Sequence, residues 1–267
     1  MSGGFETARE AGNEEPVRAE QLVAEAAPGV ELVRSLSRSA GNRAVSALLQ
    51  RHGAGAAVAG TAPPGADAKW EKVKADLSFS KYGWEAMGIL ADKKITLQLR
   101  DSGAVAGFVP QTNTCFINVT MPSYEVAAYF VHEMYHASQF HAGRSPGAKT
   151  MTENDWVTMM VDEEIDGTVK GFMHKLALER FGRAPEDDRP AGMGKFRAAY
   201  TYGYKLAIDA GKDPITARDE GIARGRRMVD WMLKRPSKRT APDLGPNKFD
   251  TYEEYYRREW QQTSKTP

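Results

Sequence analysis

The sequence predicts an α+β fold in which a small β-sheet leads into a long helix and a helix-rich C-terminal half follows. Three short segments between positions 95 and 120 alternate apolar and polar residues, as half-buried strands do. Residues 126–141 then carry apolar side chains at helical spacing, with no helix breaker before Gly143. Further segments of this helical kind fill much of the remaining chain, so we expect helices to cover the sheet.

Residues 1–67 are predicted to form a flexible region in front of one domain that spans 68–267. Residues 1–29 are rich in Glu, Ala and Gly and have almost no large apolar side chains, so we expect them to be disordered. Residues 30–51 contain apolar residues spaced for two short amphipathic helices. Gly, Ala and Pro dominate residues 53–67, which therefore have the composition of a linker.

The elements of the domain are predicted in close succession. The first is a helix at Trp70–Leu77, and three strands follow at Ile95–Arg100, Val105–Pro110 and Thr114–Thr120. We expect the last strand to form the edge of a cleft, where an extended peptide can pair with it. Helices are predicted at residues 126–141, 156–181, 191–210 and 214–235, and a short aromatic tail at 249–260. Asp213 before Pro214 marks the clearest helix start.

Residues 132–136 read His-Glu-Met-Tyr-His, the pattern HExxH, inside a predicted helix. Residues four apart lie on one face of a helix, so His132 and His136 can hold one metal ion while Glu133 flanks its water. Two imidazole ligands and a carboxylate general base are the arrangement of a zinc peptidase. The alternative interpretation is two ordinary histidines on a helix, because so short a pattern also arises by chance.

A catalytic zinc needs a third protein ligand. His141 is a candidate, but Gln139 and Ala142 stand where the metzincin pattern requires a glycine and a histidine, which favours a surface or substrate-side role. In the gluzincins the third ligand is a glutamate on a later helix that packs tightly against the HExxH helix. Residues 161–171 supply two candidates, Glu163 and Glu164.

Glu164 is the preferred ligand because Gly167 and Gly171 follow it at plus three and plus seven, on the same helix face. Glycine inside a helix costs about 1 kcal/mol relative to alanine, so two of them suggest close packing. Glu163 remains the second choice, since its face carries charged residues and is expected to be solvated. Asp162 and Asp166 flank the site and are either solvated acids or groups that orient an imidazole. Thr168 stands where gluzincins often carry an aspartate, which leaves that partner open.

Two stretches resemble known proteins. The segment Leu36–Arg51 contains Ala-Gly-Asn-Arg-Ala-Val followed by Leu-Leu and resembles an N-terminal motif on cargo proteins of bacterial extracellular contractile injection systems. Residues 132–139 resemble the HExxH helix of metallopeptidase domains associated with such particles. The resemblance implies a toxin-like effector with a loading region in front and a zinc peptidase behind. For residues 197–267 the resemblance implies no functional residue.

Composition limits the other classes of function. The net charge of +1 argues against a dedicated nucleic-acid binder, and no apolar run is long enough to span a membrane. The single cysteine, Cys115, excludes an intramolecular disulfide framework and is expected to be a small buried residue. The polar start has no Sec-type signal, so synthesis in the bacterial cytoplasm and loading into an injection particle are expected.

The sequence therefore predicts a zinc endopeptidase, with Zn²⁺ on His132, His136 and Glu164, a protein or peptide substrate, and Glu133 as general base. Tyr200, Tyr202 and Tyr204 are candidates for a second donor to the oxyanion, although core and rim aromatics of a helix are the favoured interpretation for each. The alternative function is a catalytically inactive zincin-fold component that binds the particle. Basic residues between 218 and 239 are expected to form a solvated helix face.

Overall fold

The computed structural model describes residues 62–101, 105–145, 150–234 and 251–264. Within these ranges the chain forms seven α-helices and a three-stranded sheet: α1 (Ala66–Leu77), α2 (Lys81–Asp92), β1 (Thr96–Arg100), β2 (Ala106–Val109), β3 (Thr114–Asn118), α3 (Ser123–His141), α4 (Glu153–Arg180), α5 (Met193–Asp209), α6 (Pro214–Leu233) and α7 (Tyr252–Ser264). The α+β class and the three predicted strands are confirmed. The motif-bearing segment 30–51 lies outside the described residues, and the boundary at residue 67 stays a prediction.

The sheet has the strand order β1-β3-β2, so β3 lies in its centre. β3 pairs in parallel with β1 and antiparallel with β2. The prediction that the last strand before the HExxH helix forms the cleft edge is therefore wrong. The chain places β2 at the edge first, turns through Pro110–Thr112 and a left-handed Asn113 with φ 49°, and then returns along the middle of the sheet.

A first hydrophobic core lies between the sheet, α1, α2 and one face of α3. β1 buries alternate residues, as a strand with one covered face does. The core side chains with almost no exposure include Leu77, Met87, Ile95, Leu97, Ile117, Phe130 and Met134. Because this core binds the apolar face of α3, the opposite face of that helix is directed toward α4.

Helix α2 has no counterpart among the predicted elements. Its start is capped by Ser80, whose Oγ accepts a hydrogen bond of 3.1 Å from the backbone N–H of Gly83. A Cβ at Gly83 would lie 2.0 Å from the carbonyl oxygen of Leu77, so only glycine fits where α2 turns against the end of α1. Gly83 and Gly88 lower the helix propensity of the segment, which hides the helix from a propensity argument.

A second core surrounds α4, which packs against α3 on one side and against α5, α6 and α7 on others. Thr152 caps α4 through the backbone N–H of Asp155, and Asp213 caps α6 as predicted, accepting from Ile215 and Thr216. None of the helices in the described ranges is both long and apolar enough to cross a bilayer.

Candidate metal centre

The two histidines of the HExxH pattern lie one turn apart on α3 and point to the same place. The Nε2 atoms of His132 and His136 are 2.8 Å apart, and their ring centroids are 4.7 Å apart. Both side chains are largely buried, with 16% and 15% of their surface exposed. The helical spacing predicted from the sequence therefore brings two nitrogen donors together at the α3–α4 interface.

Glu164 on α4 supplies a third donor at the same position. Its Oε2 lies 3.3 Å from Nε2 of His132, and its Oε1 lies 3.5 Å from Nε2 of His136. One ligand atom from each of the three residues falls within 4.8 Å of the other two. Separations of this size suit a single ion bound at about 2 Å from each donor. The three side chains can thus hold a metal ion.

Two glycines let α4 approach α3 closely enough for this contact. A Cβ at Gly167 would lie 3.2 Å from Nδ1 of His132, and one at Gly171 would lie 2.7 Å from the carbonyl oxygen of Ala128. Ordinary contacts begin near 3.4 Å, so a Cβ at Gly171 would push the two helices apart and one at Gly167 would displace the His132 ring. The close packing predicted from the spacing Glu164, Gly167, Gly171 is present.

Glu163 contacts the far side of the same site. Its Oε1 lies 2.7 Å from Nδ1 of His136, and its Oε2 accepts a 2.5 Å hydrogen bond from the hydroxyl of Ser145. Glu163 is only 7% exposed, so the expectation of a solvated face is wrong: α4 is covered on this side by α3. A carboxylate on Nδ1 fixes the ring and leaves Nε2 for a metal.

The flanking acids do not orient the imidazoles. Asp162 and Asp166 both lie near Arg226 of α6, at 3.5 Å and 2.7 Å. The partner on the other histidine is Thr168, whose hydroxyl oxygen lies 3.4 Å from Nδ1 of His132. The position four residues after Glu164 therefore holds a neutral hydroxyl in contact with the His132 ring.

At His136 and Glu164, the effect of burial on the pKa is opposed and outweighed by the effect of neighbouring charges and hydrogen bonds. Burial lowers the pKa of His136, but the charges of Glu164 and Glu133 and the hydrogen bond with Glu163 outweigh it and raise the pKa to about 9. Burial raises the pKa of Glu164, and His136, His132 and the hydroxyl of Tyr256 together bring it down to about 2. At neutral pH the Glu164 carboxylate is thus ionised and the His136 ring carries a proton, so a metal ion that binds here has to displace the proton of His136.

Glu133 is anchored to the edge strand. Its Oε2 accepts a 2.9 Å hydrogen bond from the backbone N–H of Phe108 on β2. Phe108 also packs its ring against Phe140 of α3, with centroids 5.9 Å apart. β2 is therefore held beside the HExxH helix, and its outer edge runs next to the carboxylate predicted to be the general base.

Tyr256 of α7 is not among the predicted site residues, yet its hydroxyl donates a hydrogen bond to Oε1 of Glu164. Tyr256 lies in the aromatic tail at 249–260, which was expected to pack on the domain and was given no role in the site. The three tyrosines considered earlier have other positions: Tyr200 is buried against Phe196, and Tyr202 is 57% exposed beneath Arg224. No contact joins Tyr200, Tyr202 or Tyr204 to a ligand in the described part of the chain.

The remaining candidates lie outside the site. His141 is exposed and its Nε2 lies 2.9 Å from Oδ1 of Asn113, as expected of a surface histidine. Cys115 is fully buried in β3, and burial, together with the charge of Glu133, raises its thiol pKa. The basic residues of α6 are paired in part with acids, Arg218 with Asp219 among them.

Comparisons of the chain with protein families, with curated proteins and with solved structures found no match. The description of the site therefore depends on its own geometry. It consists of two imidazole nitrogens and one carboxylate oxygen at one point, a neighbouring carboxylate one residue along the helix, and an edge strand beside it. This constellation defines a candidate metal centre with three protein ligands.

Proposed function

We propose that this chain is a zinc-dependent endopeptidase. The observation that carries the proposal is the convergence of His132, His136 and Glu164 on one point, with Glu133 on the turn between the two histidines. Three protein ligands of this kind leave one coordination position for water or substrate, which is the pattern of catalytic rather than structural zinc. A carboxylate beside that position is what peptide hydrolysis requires of a general base.

The donor set favours zinc over the commoner hard cations. Calcium and magnesium prefer oxygen ligands throughout, whereas two imidazoles and a carboxylate suit Zn²⁺. Glu163 and Thr168 support this assignment, because partners on both Nδ1 atoms leave the two Nε2 atoms as ligands. The residues present therefore fit zinc in both the type and the orientation of their donor atoms.

When bound, zinc supplies a Lewis acid that polarises the substrate carbonyl and makes water acidic enough to act near neutral pH. His132, His136 and Glu164 hold the ion and fix its position. Glu133 takes the proton of the attacking water on its carboxylate and delivers that proton to the departing amine. The N–H of Phe108 keeps the Glu133 carboxylate directed at the site from the side of the sheet.

Peptides are the substrate class that the neighbouring strand favours. β2 pairs with β3 along one side only, within a described sheet of three strands. An edge strand binds an extended peptide through main-chain hydrogen bonds, and here that edge lies beside Glu133. A backbone-binding edge would recognise many sequences, so side-chain selectivity has to come from other contacts.

The proposed biological role is that of a toxin or effector cargo of a phage-tail-like contractile injection system. It is supported by the resemblance of Leu36–Arg51 to a loading motif. In this role the N-terminal region contacts the particle, and the peptidase acts after delivery. A particle component with an inactive zincin fold is the alternative, and its test is the same experiment.

The experiment measures zinc per chain by elemental analysis and peptide cleavage in the parent and in three variants. Glu133→Gln should keep zinc and abolish cleavage, whereas His132→Ala should lose both. His141→Ala is the matched control for zinc binding, because it is a histidine on the same helix that bonds to Asn113 outside the three-residue cluster, and it should keep zinc. Zinc without cleavage in the parent supports the inactive component, and cleavage that survives Glu133→Gln contradicts the mechanism.

A further inference from the structure

The C-terminal helix α7 reaches into the metal centre. The Tyr256 hydroxyl donates to Oε1 of Glu164 across 92 positions of sequence. Tyr256 is only 5% exposed, and its hydroxyl is directed at the Glu164 carboxylate, which can only accept the hydrogen bond. A phenol is thus fixed against one oxygen of the only carboxylate among the proposed ligands.

The position of Tyr256 is set by packing that does not involve the histidines. Its ring meets Trp156 of α4 edge-on, with centroids 5.7 Å apart. One residue further, Arg257 forms a 2.6 Å ion pair with Glu153 and a 3.2 Å hydrogen bond with Asn154. α7 is therefore attached to the first turn of α4, and the hydroxyl reaches Glu164 from a ring that is already held.

The two oxygens of Glu164 have different surroundings. Oε1 accepts from the hydroxyl of Tyr256 and lies 3.5 Å from Nε2 of His136, whereas Oε2 lies 3.3 Å from Nε2 of His132 and accepts no hydrogen bond from the phenol. The hydrogen bond takes up one lone pair of Oε1 and draws electron density from it, so Oε2 becomes the better donor to a cation. A glutamate without this partner is free to rotate and to bind through both oxygens.

We propose that Tyr256 is a positioning residue of the metal centre, which fixes Glu164 so that it binds the metal through Oε2 alone. Helix α7 is accordingly part of the metal centre, although it lies far from the HExxH segment in the sequence. This inference rests on the proposed zinc site, and it adds a residue and a binding mode that the three-ligand description lacks.

Tyr256→Phe in the full chain tests the inference, because it removes one oxygen and keeps the ring that packs on Trp156. Zinc affinity is measured by competition with a chromogenic chelator, and Co²⁺ is added in place of zinc to record its visible absorption bands. We expect zinc affinity to fall about 10–100-fold, the usual effect of losing a group that orients a ligand. The Co²⁺ bands should shift, because the binding mode of Glu164 changes.

Tyr255→Phe is the matched control, since Tyr255 precedes Tyr256 on α7 and its hydroxyl bonds to Glu259 rather than to a ligand. This control should keep the affinity and the Co²⁺ spectrum of the parent. Thermal unfolding of the metal-free proteins shows whether each variant is folded. Parent-like zinc affinity and Co²⁺ bands in Tyr256→Phe would overturn the inference alone, whereas no zinc binding by the parent would overturn the proposed function and the inference together.

Discussion

Separate exchange of the two adjacent glutamates of α4 for glutamine tests which one binds the metal. Glu164 lies 3.3 Å and 3.5 Å from the two Nε2 atoms that face each other. Glu163 lies on the opposite nitrogen of His136, 2.7 Å from Nδ1. Glu164→Gln therefore removes a charged donor from the metal position, whereas Glu163→Gln alters only the partner of a ligand ring.

The two variants should differ in magnitude. Glutamine at position 163 keeps an oxygen that can accept from Nδ1 of His136 but loses the negative charge. Loss of such a partner lowers metal affinity about 10–100-fold, or about 1.4–2.8 kcal/mol. Glutamine at position 164 leaves two neutral imidazoles as the only strong donors, so we expect a further loss of about tenfold or more beyond that.

The assay is chelator competition at neutral pH with zinc as the only metal. Asp162→Asn serves as the control, because Asp162 lies on the same helix, is half exposed and pairs with Arg226 outside the site. Its zinc affinity should equal that of the parent. Zinc binding that survives Glu164→Gln and is lost in Glu163→Gln would refute the assignment and make Glu163 the ligand.

Alanine at Gly167 should weaken zinc binding about tenfold, because its Cβ would lie 3.2 Å from Nδ1 of His132 and displace the ring; equilibrium dialysis measures this. Asparagine at His174 should remove an acid-sensitive part of the stability while keeping a partner for Ser80, which lies 2.7 Å from Nδ1. Burial lowers the pKa of His174 to about 3, so the stability from its neutral ring is complete above the unfolded value near 6.5 and is lost as the pH falls toward 3. Between pH 7 and pH 5 the free energy of unfolding should fall about 2 kcal/mol more in the parent than in His174→Asn, as measured by denaturant titration. Cys115 should react with iodoacetamide only in the unfolded chain, because the thiol is fully buried and its pKa is raised; mass spectrometry detects the adduct.

The exchange at Gly167 has a matched control. Gly88→Ala in α2 adds a Cβ that meets no atom within 4 Å, so it should leave zinc affinity unchanged and add up to about 1 kcal/mol of stability. Equal zinc affinity in Gly167→Ala and Gly88→Ala would argue against the close approach of α4 to the His132 ring. Identical pH dependence in the parent and in His174→Asn, or alkylation of native Cys115, would contradict the burial of those groups.

Much of the site could be predicted from the sequence because the candidate metal-binding residues are placed by spacing within single helices. His132 and His136 converge through helical spacing alone, which the sequence displays directly. Glu164 was found through Gly167 and Gly171, because small residues on one face indicate a helix contact whichever helix is the partner. The spacing of ligands and the spacing of packing residues are both properties of a single helix, so neither required the tertiary structure.

The parts that were missed depend on contacts between distant segments. Glu163 looked solvated because charged neighbours follow it, but α3 covers that side of α4 and makes it the partner of His136. Tyr256 lies 92 positions from Glu164, and no local pattern relates a tail tyrosine to a particular carboxylate. β3 was expected at the cleft edge because the last strand before an HExxH helix usually lies there, whereas here β2 lies at the edge and β3 in the middle of the sheet.

In the proposed zinc enzyme, the contact of α3 with α4 at Gly167 and Gly171 has a consequence for metal uptake. The three proposed ligands lie on two helices that are joined by packing contacts of their own, whereas the ligands of zinc fingers are brought together only when the metal arrives. Chelation should therefore empty the site and leave the helical circular dichroism unchanged, and refilling should need no refolding. Because uptake buries almost no new apolar surface, its heat-capacity change should be close to zero.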